Sequence, residues 1–138
     1  MLPLAALSWS DVYLFRDQKH RGRCIVALKE HRDEIWQLSE EQRNGFFAEV
    51  SAVAEAVSRF AQADKINYAI YGDLVSHFHV HVVPKRKDEL QWGGPFTDTV
   101  EKKLLTEEEY AAIGKAILAV LDEICTGKGI PLLPRMGV

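Results

Sequence analysis

The sequence predicts an α+β fold in which antiparallel strands are covered on one face by two helices. Three observations predict it. Two stretches repeat apolar residues at steps of three and four behind a capping signal, and four short runs are rich in β-branched and aromatic residues bounded by turn residues. The strands come as neighbours instead of alternating regularly with helices, which favours antiparallel pairing in a two-layer sandwich. The chain of 138 residues is about one domain's worth. It carries no internal repeat and no low-complexity linker, so residues 1–138 are expected to form a single domain.

Val12-Tyr13-Leu14-Phe15 reads as a first strand. Asp17 to Gly22 is a polar turn, and Arg23 to Leu28 a second strand, making an antiparallel hairpin. Ser39 and Gln42 then stand at capping-box spacing. Behind them Phe46, Val50, Val53, Val57 and Phe60 recur at steps of 4, 3, 4 and 3. That is one apolar stripe on a helix of about 22 residues. Gly45 and Phe47 fit it poorly, but the periodicity dominates. Ile66 to Tyr71 reads as a third strand, with Ile66, Tyr68 and Ile70 on one face, and Gly72-Asp73 is a turn signal. Val75 to Val83 is a fourth strand, stopped by Pro84. A polar loop with Trp92-Gly93-Gly94-Pro95 leads to Thr106 and Glu109, which cap a second helix. Tyr110, Ile113, Ile117, Val120 and Ile124 form its apolar side, and it is expected to end near Gly127.

Composition narrows the function. Lys and Arg number 17 against 20 Asp and Glu, a net charge of −3. A general nucleic-acid coat would need a basic surface. With 47% hydrophobic residues the chain can build a core, and it lacks the signature of disorder. Cys24 and Cys125 have no C-x-x-C spacing, which fits free thiols in a reducing compartment. Met1 to Leu7 is apolar but has no basic flank, and Trp9-Ser10-Asp11 follows at once, so no signal peptide is expected. No apolar run approaches the roughly 18 residues of a membrane span. The expectation is a soluble, cytoplasmic protein.

The strongest chemical feature is Val75-Ser76-His77-Phe78-His79-Val80-His81-Val82-Val83-Pro84. Side chains alternate faces along a strand. His77, His79 and His81 would therefore share one face, with Phe78, Val80 and Val82 packed beneath the helices. A surface strand that carries histidines by chance is the plainest reading. A metal site is a second, but His77 and His81 on a regular strand lie roughly 13 Å apart, so one ion could take two of the three easily and all three only under strain. A third is nucleophilic catalysis, since a neutral imidazole can attack phosphorus without first losing a proton. A phosphate pocket that only binds is a fourth.

The stretch His77-Phe78-His79-Val80-His81-Val82-Val83 resembles the signature of the histidine triad (HIT) superfamily, three histidines alternating with apolar residues. Arg16-Asp17, Gly22 to Val26 and Lys29-Glu30-His31 resemble that family's opening hairpin. Leu38 to Glu41 resembles the start of its long helix, and Asn67 with Gly72 to Val75 the approach to the triad. Pro84 to Asp88 and Gly94 to Phe96 look most like bacterial diadenosine tetraphosphate hydrolase-like members. The likeness spans about residues 11–125.

The resemblance implies a sheet of about five strands, extended across a homodimer, and hydrolysis or transfer of nucleotides without a metal or other cofactor. It implies His79 as the nucleophile at the α-phosphorus of a nucleoside phosphate conjugate, such as a dinucleoside polyphosphate or phosphoramidate. His77 and His81 would orient it and bind the phosphate, Asp17 would hold the ribose, and Asn67 would belong to the phosphate site. A turn centred on Asp73 would also set Asn67 directly opposite His79 and on its face. The chain departs from the family at two positions. Asp73 stands where many members have a glutamine, and Arg23 where many have a histidine. Arg23 can clamp phosphate but is no proton shuttle at neutral pH, and the Asp73 carboxylate would repel a phosphate unless protonated or paired. Of the remaining candidates, Lys85-Arg86-Lys87 is a solvated loop or an attractor of polyphosphate, Trp92 and Phe96 pack the loop or cover a base, and His31 is given no catalytic role. A protein that binds nucleotides or regulates a partner with little turnover, or a metal-dependent hydrolase, are the competing functions.

Overall fold

The computed structural model describes residues 1–133. Its elements are strands β1 (Leu2–Leu7), β2 (Ser10–Leu14) and β3 (Cys24–Leu28), helix α1 (Glu40–Ala61), strands β4 (Lys65–Ala69) and β5 (His79–Lys85), helix α2 (Glu107–Lys128) and strand β6 (Leu132–Leu133). A single 3-10 turn, Ile35–Gln37, precedes α1. The strands form one sheet in the order β4-β5-β3-β2-β1-β6, antiparallel throughout. The α+β class is as expected, but the described residues hold six strands instead of about five. The additional ones are β1 and its short partner β6. Leu4, Ala5 and Leu7 are all buried, and Leu4 lies so close to α2 that a Cβ on Gly114 would meet its Cδ2 at 2.8 Å. A strand covered this closely loses the apolar–polar alternation by which strands are recognised.

Both helices begin where their capping signals lie. The Ser39 hydroxyl accepts from the Gln42 N–H while the Gln42 side chain accepts from the Ser39 N–H, and Thr106 and Glu109 do the same for α2. The second helix runs past Gly127 to Lys128 and is ended by Gly129, whose φ of 67° is left-handed. A C-terminal glycine supplies that conformation at least cost.

Phe46, Val50, Val53 and Val57 of α1 are buried against the sheet face that carries Val12, Leu14, Val26, Val80 and Val82. The two residues that fit the stripe poorly have clear partners. Gly45 lies under the Trp9 indole, where a Cβ would come within 2.2 Å of Nε1. Phe47 packs edge-on against Phe46 and Phe78. One turn further on, buried Glu49 accepts from the Trp9 N–H at 3.0 Å and from the Ser10 hydroxyl at 2.7 Å. This ties α1 to the β1–β2 turn, and burial raises the Glu49 pKa.

Two strand boundaries differ from expectation, and both bear on function. The fourth predicted strand starts at His79, not Val75, and continues through Pro84 to Lys85. Pro84 is tolerated because pairing with β3 ends at Val82, so its missing N–H breaks no bond on that side. The third predicted strand ends at Ala69, not Tyr71, and Asn67 pairs with Val83. Asn67 therefore keeps the expected face but is not opposite His79. The connection from Ile70 to Phe78 is wider than the tight turn assumed around Asp73.

Replacing Glu49 by Ala should destabilise the fold by about 2–3 kcal/mol, because it leaves the Trp9 N–H and the Ser10 hydroxyl without their charged acceptor. Ser10→Ala should cost about 1 kcal/mol. Urea unfolding of the two variants checks the order, and equal losses would refute it.

Candidate active site

The helices cover one face of the sheet. The other face carries His79 and His81 on β5, Ala27 and Ile25 opposite them on β3, and Asp11 and Tyr13 on β2. With Leu74, Val75 and His77 these residues line a cavity of about 590 Å³, within the range of small-molecule sites. All three histidines meet there, though not by simple alternation. His77 precedes the strand, held by its neighbour Phe78, whose N–H donates to the Arg32 carbonyl and whose carbonyl accepts from the Leu28 N–H.

The hydrogen bonds set where each ring carries its proton. A carbonyl only accepts. His79 Nδ1 is 2.6 Å from the His77 carbonyl oxygen and so donates to it, which leaves the lone pair of a neutral ring on Nε2. His77 Nε2 donates to the Leu28 carbonyl in the same way, and its Nδ1 accepts from His31 Nδ1 at 3.1 Å. A guanidinium only donates, so His81 Nδ1 accepts from Arg23 Nη2 at 3.0 Å. The His79 and His81 rings stand 5.1 Å apart, edge to face.

The other expected site residues are placed differently. Arg23 does not line the cavity. It is fully buried behind His81 and paired with Asp98 at 2.8 Å. Asp17, expected to hold a ribose, is also buried. Its carboxylate accepts from Lys19 Nζ and from the backbone N–H groups of Lys19 and Lys103, so it fastens the chain before α2 to the β2–β3 turn. Asn67 lines a separate recess with Lys65, Lys85 and Trp92. Asp73 is exposed and borders an open recess with Tyr71 and Ser76. Lys85 is not a solvated loop cation. It is buried and donates to the carbonyls of Gln91 and Gly94. Phe96 is buried too, edge-on to Tyr71 and His20.

Sequence reasoning missed His31 and Asp98 as neighbours of the triad. His31 could have been found, since it lies just beyond the strand that pairs with β5. Asp98 carries no such signal, because it reaches Arg23 from a loop 75 residues away. Among the described residues no group of three His, Cys, Asp or Glu is arranged to hold a metal ion, and no helix is long and apolar enough to cross a membrane.

One antiparallel sheet, with helices on one face and three imidazoles converging in a cavity on the other, defines a histidine-triad architecture. The model of the HIT domain matches residues 8–88, and the chain belongs to that family. A search of curated proteins gave no match. Solved structures agree on the fold. A histidine triad protein from Marinobacter aquaeolei VT8 is 25% identical, with 88% of this chain and 89% of that one covered and a TM-score of 0.80. A histidine triad (HIT) protein from Sinorhizobium meliloti 1021 is 24% identical over 86% and 87% of the two chains, with a TM-score of 0.80. A Zn-bound histidine triad family protein from Mycobacterium smegmatis is 23% identical over 91% and 86%, with a TM-score of 0.67.

Burial, then the charges of Arg23 and His79, push the His81 pKa down from 6.5 to about 4, against a smaller opposing pull from Asp98. Below pH 6.5 the unfolded chain takes up a proton that the folded chain refuses, so stability is full above that pH and falls between about 6.5 and 4. His81 should account for a loss on the order of 3 kcal/mol. Buried His20, also depressed by desolvation, adds to the same fall. Urea midpoints measured from pH 7.5 to 4.5 should drop, and His81→Gln should flatten the curve. A curve as steep in the variant as in the parent would contradict this.

Proposed function

We propose that the chain is a nucleotide hydrolase or nucleotidyl transferase that cleaves at the α-phosphate of a nucleoside phosphate conjugate. One observation carries the reading. His79 donates its Nδ1 proton to the His77 carbonyl, leaving the Nε2 lone pair available in the triad cavity. In the first step Nε2 attacks the α-phosphorus and an N–P bond forms as the bond to the leaving group breaks. The leaving group takes a proton from solvent, and water or another acceptor then attacks the phosphorus, breaking the N–P bond and returning the lone pair to His79 Nε2. One difficult displacement becomes two easier ones. His77 orients His79 through its backbone carbonyl, and His81 faces the same cavity to bind the phosphoryl oxygens. The cavity's apolar walls, Tyr13, Ile25, Leu74 and Val75, suit a nucleoside, and a dinucleoside polyphosphate or an adenosine phosphoramidate is the substrate class.

His79→Ala should lower turnover of such substrates by on the order of 10³ or more, and wild-type turnover should survive chelator. A nucleotidyl adduct in the intact mass of wild type, absent from the variant, is the direct check. Nucleotide binding without turnover on any substrate of the panel would favour a binding or regulatory protein. Activity abolished by chelator and restored by Zn²⁺ would sink the covalent mechanism.

A homodimer belongs to the same proposal. Strand β4 is a sheet edge, and Tyr68, Ile70, Tyr71, Leu74 and Val75 are exposed on or beside it. An open apolar edge invites pairing with a second chain. Light scattering should give twice the 15.6 kDa chain mass, and a monomer at micromolar concentration would overturn it.

A further inference from the structure

Arg23 is the largest fully buried side chain among the described residues, and nearly all of it is engaged. Nη1 meets Asp98 at 2.8 Å, Nη2 donates to His81 Nδ1 at 3.0 Å, and the guanidinium carbon lies 4.0 Å from the Phe15 ring centroid and 4.9 Å from that of Phe96. Asp98 is also 3.7 Å from Lys19, which is itself paired with Asp17. The guanidinium is thus fixed in direction by a carboxylate on one side and two aromatic faces. It has five N–H donors and no acceptor, and it does not lose its charge in proteins.

The geometry points to Arg23, clamped by Asp98, as a positioning residue that keeps His81 a neutral Nε2–H donor to the phosphoryl oxygens of the substrate. This rests on the nucleotide reading above and deepens it. Because Arg23 can only donate, His81 must offer its Nδ1 lone pair, and the ring's single proton is confined to Nε2. A second proton on Nδ1 would set N–H against N–H and cation against cation. The other groups facing the ring are His79 on its own strand, Tyr71 from the β4–β5 connection and Phe15 after β2. None of these offers a carboxylate. Asp98 lies beyond Arg23 and exerts only the smaller opposing pull, and Asp17 is paired with Lys19. His81 therefore donates a hydrogen bond without transferring its proton. Protonation of the leaving group falls to solvent. A histidine in place of Arg23 could exchange protons with His81, so the residue at position 23 decides whether the third triad histidine acts as donor or as acid.

Long-range proton–nitrogen spectra of the full chain labelled in its histidines test this without substrate. The ring absent from a His81→Gln sample should show bare Nδ1 and protonated Nε2, with no titration from pH 8 to 5. In Arg23→Met, where burial still depresses the ring, its titration should move up from about 4 towards 6.5. In Arg23→Gln, which keeps a donor but no charge, it should titrate while retaining the Nε2–H tautomer when neutral. In the wild-type protein, the pH profile of turnover should lack an inflection from His81, and Arg23→Met should introduce one. A wild-type His81 with Nδ1 protonated, or one that titrates near pH 6.5, overturns the proposal even if neither variant folds. So does an unchanged ring in Arg23→Met. Absence of turnover and of AMP binding, with the His81 spectrum as expected, would instead count against the nucleotide reading alone.

Discussion

The register of β5 against β3 is the constraint on which the rest of the molecule depends. Val26 pairs with Val80 and Cys24 with Val82 on the helix side, and Ala27 with His79 and Ile25 with His81 on the other. A slip of one residue would exchange the two sets completely. It would bring imidazoles under α1 and expose Val80 and Val82. Phe78 adds to the same lock, since its ring sits edge-on to Phe46 and Phe47. The apolar half of the motif thus sets the register, and the histidines follow on the opposite face. A sequence feature that looks purely catalytic is also half of the core.

Once the face is fixed, the backbone prepares the chemistry. Two carbonyls, those of Leu28 and His77, decide the tautomers of His77 and His79. This is possible because the chain leaves regular strand geometry at residues 75–78. A continuous strand would keep the first and third histidines roughly 13 Å apart. The irregular segment instead turns the His77 ring towards β3 and presents its own carbonyl to His79. The departure from ideal β structure is where the site acquires its direction.

That geometry explains what could be read in the sequence. Periodicity and capping boxes located α1 and α2, because a helix is specified by residues a few positions apart. The alternation of histidine with Phe78, Val80 and Val82 located the site for the same reason. The position of Asn67 was misread because a hairpin register follows from the length of its connection, and a Gly-Asp pair suggests a tight turn whether or not the chain makes one. Strand β1 was missed because close cover by α2 makes it uniformly apolar. Asp98 acts through a contact 75 residues distant in sequence, which no local pattern encodes, whereas His31, 46 residues from His77, was open to inference from its place at the end of the strand beside the triad. Asp17 stood beside a turn, as expected, but its carboxylate is saturated by Lys19 and Lys103.

The near-neutral charge of the chain extends into the site itself. Three cationic side chains at or near the cavity already have partners. Arg23 is bound to Asp98, Lys19 to Asp17 and Lys29 to Asp11. Phosphate binding in the cavity would then rest on neutral N–H donors fixed in advance, of which His81 Nε2–H is the one the triad leaves free, with Arg23 acting one residue removed through His81. Such donors stabilise charge as it develops on a phosphoryl group without reorganising at that moment. They also carry no long-range attraction for polyanions. An exposed arginine cluster would bind any phosphorylated polymer, whereas a small apolar cavity with oriented imidazoles selects for a ligand that fits inside it. The balanced composition and the burial of Arg23 are, on this view, two expressions of one specificity.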